Sequence, residues 1–246
     1  MKSFFKAAVS GLLWLTFSAA AFADTLYFTS QKENVEQGGQ FTAYLASNPS
    51  QELYTYCVDY LNDISITSPP SGYPVNVTDL ANSSMVALNT RYGQTPASGT
   101  GGFSTNTVVV PPSIGTAQDR YAMAAWLITQ YNFGSGVTRA DDQIQNAIWT
   151  LLDTNNETFT SNGGIGTYVT QAETWINGEI SAGTLAAFEN HVVIYSSTSI
   201  PGTPDPGRWC VGDQEMIGFV PEPSSIALLG GALLALGAFR KRIKVG

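Results

Sequence analysis

TRADDQIQNAIWTLLD, residues 138–153, has the apolar spacing of a helix. Wound at 3.6 residues per turn, it sets Gln143, Asn146, Thr150 and Asp153 along one face. Ile144, Ala147, Ile148 and Leu151 form the opposite stripe, widened by Trp149 and Leu152. Thr138 and Asp141 have the spacing of a capping box, which places the start of the helix. Gln145 lies on the flank of the apolar arc, one turn before Trp149. A carboxamide buried there must be hydrogen-bonded or it costs roughly 1–3 kcal/mol. The simplest partner is the backbone of a neighbouring loop.

Working outward, Thr116 and Asp119 form a second capping-box pattern, which opens DRYAMAAWLITQYN. That segment is apolar nearly all round and reads as a buried helix with Trp126 in its core. Gly134-Ser135-Gly136 joins the two helices as antiparallel neighbours. A third helix is expected near 167–177, stopping at Gly178. Before these helices, 25–28, 39–46 and 52–60 read as strands, with a turn at Asn48-Pro49-Ser50. After them, 191–196 and 212–220 return to strand character. Residues 65–118 are rich in Ser, Thr, Pro and Gly and read as a long irregular segment, with a short helix at 80–88 and a strand at 108–110. The expected fold class is α+β, with β-strands at both ends of the exported part around a small helical cluster.

Cys57 sits in TYCVDY, in a β-branched and aromatic run between Tyr56 and Val58. An aromatic-Cys-Val-Asp strand followed by Ile-Gln-x-Ala-Ile-Trp on a helix resembles the thioester domains of bacterial surface adhesins. The resemblance covers about residues 50–155. It implies an internal thioester joining the Cys57 sulfur to the Gln145 side-chain carbonyl, able to capture a nucleophile on a target surface. Tyr56, Ile148 and Trp149 would then wall the bond from water.

The ends of the chain carry addresses. Residues 1–23 have Lys2 and Lys6, an apolar run and Ala21-Phe22-Ala23, the pattern of a cleaved secretory signal peptide. The exported part is then 24–219. In 220–246, Pro221-Glu222-Pro223 precedes a short apolar helix and the basic cluster Arg240-Lys241-Arg242. This tail resembles the PEP-CTERM sorting signal, which implies handling by an exosortase, a membrane protease–transpeptidase. The apolar run 226–239 is shorter than the ~20 residues of a usual spanning helix, and flanking serines and snorkelling basic residues extend it. Basic residues stay on the cytoplasmic side, so the protein would sit in the inner membrane facing outward until processed. Its destination would then be the cell surface or extracellular matrix.

Between signal and tail, 18 acidic residues face five basic ones. Without a basic stripe to pair phosphates, nucleic acid is not an expected partner. Extracellular polysaccharide or an amine-bearing surface fits better. There is no Gly-rich phosphate loop, no Gly-x-Ser-x-Gly elbow and no His-Cys cluster, so no cofactor, metal or catalytic residue is expected. His191, the one histidine, reads as structural, and the carboxylates Asp59 and Asp63 near Cys57 are ordinary in an acidic protein. Two cysteines in an exported protein also allow a disulfide between Cys57 and Cys210. Three functions follow: a non-enzymatic adhesion module with a Cys57–Gln145 thioester, a disulfide-stapled polysaccharide-binding or structural matrix protein, or a secreted hydrolase.

Overall fold

The computed structural model describes residues 22–35, 38–59, 64, 66, 70, 72–93, 116–134, 136–152, 164–198 and 214–220. The order of elements is β1 (Phe22–Val35), β2 (Gly38–Leu45), β3 (Asn48–Cys57), β4 (Gly72–Asp79), α1 (Ser83–Asn89), α2 (Ala117–Ile128), α3 (Arg139–Leu152), α4 (Ile165–Ala182), α5 (Leu185–Glu189), β5 (Val192–Ser197) and β6 (Met216–Phe219). The mixture of helix and strand is as expected. The strands also do something their spacing did not announce: they close into a barrel in the order β1-β2-β3-β6-β5-β4.

All the strand pairs are antiparallel. Closure depends on β6, which pairs through Thr55–Cys57 with β3 and through Val192–Tyr195 with β5. β1 pairs with β4 through Phe22–Tyr27 and with β2 through Leu26–Val35, and its register against β2 shifts twice, between Phe28 and Ser30 and between Gln31 and Glu33. Each shift inserts an unpaired residue, which bends the strand around the barrel. Leu26, Phe28, Phe41, Val75, Ile194 and Ile217 are buried in the core. Residues 38–43 of β2 are buried on both faces, so this strand is covered on its outer side as well.

The helices follow β4 and return the chain to β5. α2, α3 and α4 pack on one another, and α3 also touches β1. Both capping boxes form. Thr116 and Asp119 exchange bonds at the start of α2. At α3 the Thr138 N–H donates to Asp141 Oδ2 at 2.8 Å and the Asp141 N–H to Thr138 Oγ1 at 3.4 Å. Trp126 is half-buried and stacks on Trp175 of α4, with ring centroids 5.6 Å apart.

Several boundaries differ from those read off the sequence. α4 runs through Gly178 and ends at Gly183, whose φ of +70° is the left-handed turn-out. Gly178 is exposed, where an interior glycine costs only about 1 kcal/mol relative to alanine. β3 begins at Asn48, so the turn lies at Ala46-Ser47 and Pro49 belongs to the strand. β4 occupies part of the segment read as irregular, with Pro74 opposite Thr25. The polar face expected on α3 is also largely covered: Asn146 and Thr150 are buried. A helix packed against two others and the barrel has little face left for solvent, and the Thr150 hydroxyl satisfies itself on the Asn146 carbonyl at 2.8 Å. The expected strand at 108–110 and helix at 226–239 lie outside the described residues. Among the described residues no helix is long and apolar enough to cross a membrane.

Candidate functional site

Cys57 is the last residue of β3, fixed against Met216 of β6. Gln145 lies in the second turn of α3 and is fully buried. They are 88 positions apart in the chain, yet the Gln145 Nε2 donates to the Cys57 carbonyl oxygen at 3.0 Å. The Gln145 Oε1 accepts two bonds, from the Gly39 backbone N–H at 2.9 Å and from the Tyr131 hydroxyl at 2.8 Å. The Cys57 thiol donates to the Asp59 carbonyl at 3.3 Å. The two residues singled out by their motifs therefore meet inside the protein.

Glycine makes the meeting possible. A Cβ on Gly38 would stand 2.9 Å from Gln145 Oε1, 3.0 Å from its Cδ and 3.0 Å from Trp149 Cζ2. Only a bare backbone can come that close to the carboxamide. Gly39 has φ of +91°, and a Cβ there would strike the Glu33 carbonyl at 2.3 Å. Nothing in the periodicity of the strand flagged Gly38-Gly39. The adjacent glycines at the head of a strand were the available signal, since a glycine there often marks close backbone approach.

Of the three expected wall residues, Ile148 and Trp149 are buried on α3 within a turn of Gln145. Tyr56 is half-buried beside Cys57, and its hydroxyl accepts from Gln40 Nε2 at 2.6 Å. Its ring stacks on Tyr131 at 6.0 Å and 12°, and Tyr131 stacks in turn on Phe133 at 4.8 Å and 22°. Tyr131 was not recognised as a site residue: its spacing placed it in the buried helix DRYAMAAWLITQYN, whereas α2 ends at Ile128. Burial raises its phenol well above the usual range, and the neighbouring Cys57 and Asp141 push the same way. The phenol is therefore protonated and able to donate at any physiological pH.

Behind Cys57 lies a polar network that clamps the end of β3. Asp59 is fully buried and accepts from Arg91 Nη1 at 2.7 Å and from the Tyr92 hydroxyl at 3.0 Å. Glu215, just before β6, accepts from the Arg91 backbone N–H at 2.7 Å and from the hydroxyls of Tyr121 and Ser196. The Val58 N–H donates to the Glu215 carbonyl at 3.1 Å. Burial pushes the Glu215 carboxyl up to about 7, with these hydrogen bonds working in the opposite direction. The residues just after β3 and just before β6, together with β5, α2 and the turn after α1, are thus tied to one buried centre.

Of the other titratable residues, His191, Asp141 and Asp142 occupy capping or surface positions. His191 is exposed in the turn before β5. Asp141 serves as the cap of α3, and Asp142 follows it at the surface edge. No group of three or more His, Cys, Asp or Glu side chains that could hold a metal ion occurs among the described residues. Asp63, Cys210, Pro221-Glu222-Pro223 and Arg240-Lys241-Arg242 lie outside them.

Comparison with known families identifies one segment. The PEP-CTERM protein-sorting motif matches residues 219–242. No curated protein and no solved structure matches the chain.

Proposed function

We propose that this exported protein, which carries an exosortase sorting signal over residues 219–242, uses its barrel-and-helix domain as a surface or matrix adhesion module, acting through an internal thioester between Cys57 and Gln145 instead of enzymatic turnover. The observation that carries this reading is the Gln145 carboxamide seated against Cys57, with its oxygen held by two donors and its nitrogen on the Cys57 carbonyl.

In the step proposed, the Cys57 thiol gives up its proton and Sγ attacks Cδ of Gln145. The C–N bond then breaks, and the departing nitrogen takes the proton and leaves as ammonia. An amine on a target surface later attacks the same carbon, forming an amide and returning the Cys57 thiol. Thiols do not attack amides in dilute solution, but groups held in near-attack geometry gain effective molarities of ~10⁵ M or more. Burial of Ile148, Trp149 and Cys57 keeps water from hydrolysing the product bond. The domain's own amines are scarce: Lys32 is the one lysine between signal and tail, and it lies over the Tyr54 ring.

A second reading has an observation of its own. The three hydrogen bonds of Gln145 are also what a purely structural buried amide would make. Intact-protein mass spectrometry separates the possibilities. A thioester removes one ammonia from the sequence mass, a Cys57–Cys210 disulfide removes two hydrogens, and a structural amide removes nothing. Methylamine should add at Gln145 and expose the Cys57 thiol, and Cys57→Ala should be inert. A full-mass protein unreactive to methylamine would refute the thioester.

A further inference from the structure

The two donors on Gln145 Oε1 come from different parts of the fold: Gly39 from β2, and Tyr131 from the segment between α2 and α3. Their distances, 2.9 and 2.8 Å, are those of a preorganised oxyanion site. Two donors satisfy both lone pairs of a buried amide oxygen, and the same pair is placed to hold the charge when that carbonyl becomes tetrahedral. We infer that Tyr131 is a catalytic residue for making and opening the bond, its hydroxyl and the Gly39 N–H together holding the negative charge that forms on Oε1. The inference rests on the thioester reading.

The chemistry follows from where charge develops. When Sγ adds to Cδ, the carbonyl π pair moves onto Oε1. Ammonia departure returns that pair and restores the C=O bond. Attack by an acceptor amine on the thioester repeats the sequence, with the Cys57 sulfur as the leaving group, which then takes a proton. The same two donors serve both directions because Oε1 is the oxyanion each time. Neither donor must reorganise. The Gly39 N–H is set by the backbone at φ +91°, and the Tyr131 ring is held between Tyr56 and Phe133. The nitrogen is placed as well, since its bond to the Cys57 carbonyl turns the carboxamide plane so that Oε1 faces the donor pair.

A hydroxyl that merely braces the fold and one that stabilises charge differ in what they do to a rate. The test uses the wild-type protein, Tyr131→Phe, and protein with ring-fluorinated tyrosines of graded acidity at position 131. Each is treated with methylamine and followed by intact mass. Tyr131→Phe should open about 10²-fold more slowly, the usual effect of losing one oxyanion donor. The fluorinated series should open faster as the phenol becomes more acidic. With ¹³C-labelled glutamine, the infrared band of the acyl carbonyl should move to higher frequency in Tyr131→Phe, because a donor has been removed. Wild-type rates in Tyr131→Phe, or rates flat across the fluorinated series, would overturn the role of Tyr131. The fluorinated series decides the matter even where Tyr131→Phe folds poorly. A wild-type protein that neither lacks ammonia nor reacts with methylamine would instead remove the thioester itself.

Discussion

Gln145 Nε2 and the Cys57 carbonyl oxygen lie 3.0 Å apart, joining the middle of a helix to the end of a barrel strand. The contact depends on a close approach of α3 to the head of β2, which only Gly38 permits. Gly38→Ala tests that dependence. Its methyl would press on Gln145 and Trp149, an overpacking error that costs typically 1–3 kcal/mol. The expected outcome is a lower urea midpoint together with reduced methylamine incorporation. Unchanged values of both would show that the approach is looser than described.

Arg91 and Asp59 form an ion pair with the carboxylate fully buried and the guanidinium largely so. Removing one partner of such a pair leaves an uncompensated charge, at a cost of roughly 3–5 kcal/mol. Arg91→Ala should therefore be among the most destabilising substitutions in the domain, measurable by chemical denaturation. A loss below about 1 kcal/mol, the level of an exposed pair, would contradict the burial.

Glu215 gives the stability a pH dependence of definite sign. Its folded value is about 7, above the unfolded 4.5, so the folded state binds the proton more tightly. Its contribution is complete below the unfolded value and is lost as the pH climbs through about 7. The difference corresponds to at most about 3 kcal/mol. Glu189 shifts the same way and remains in the variant, so the comparison of wild type with Glu215→Gln isolates Glu215. Urea midpoints at pH 5 and pH 8 should differ less in Glu215→Gln than in wild type. Equal differences would remove Glu215 as the source.

The helices α2 and α3 were legible because they rest on local rules, whereas Cys57 and Gln145 were singled out through a resemblance to thioester domains carried by two short motifs. A Thr138–Asp141 capping box and an apolar stripe are written within one segment. What Tyr131, Gly38 and Glu215 do is set by residues far from them in sequence, and no spacing records it. β4 was missed because it lies in 65–118, a segment whose Ser, Thr, Pro and Gly content reads as irregular. Pro74 is tolerated opposite Thr25, where its carbonyl still accepts from the Thr198 N–H at 3.0 Å. The burial of Asn146 and Thr150 was missed for a related reason. Amphipathicity assumes one buried face, and α3 is covered from several sides.

The sorting motif makes a separate prediction. A truncation ending at Val220 keeps all of β6 and removes the matched tail except its first residues. The protein should then leave the membrane fraction and appear in the periplasm or medium by immunoblot. Continued membrane association would mean that something other than the tail retains it.

Because β6 is inserted between β3 and β5 and ends where the sorting motif begins, the barrel cannot close early in export. A chain threaded through the membrane from its N-terminus presents β1 to β5 first, with β3 still lacking one neighbour. The pairing of Cys57 with Met216 comes last, when the tail is already at the bilayer. Long-range pairing of this kind is slow in any case, because loop closure precedes the contacts that reward it. The topology therefore works as a timer: the strand pairing that surrounds Cys57 is completed only after β6 has crossed.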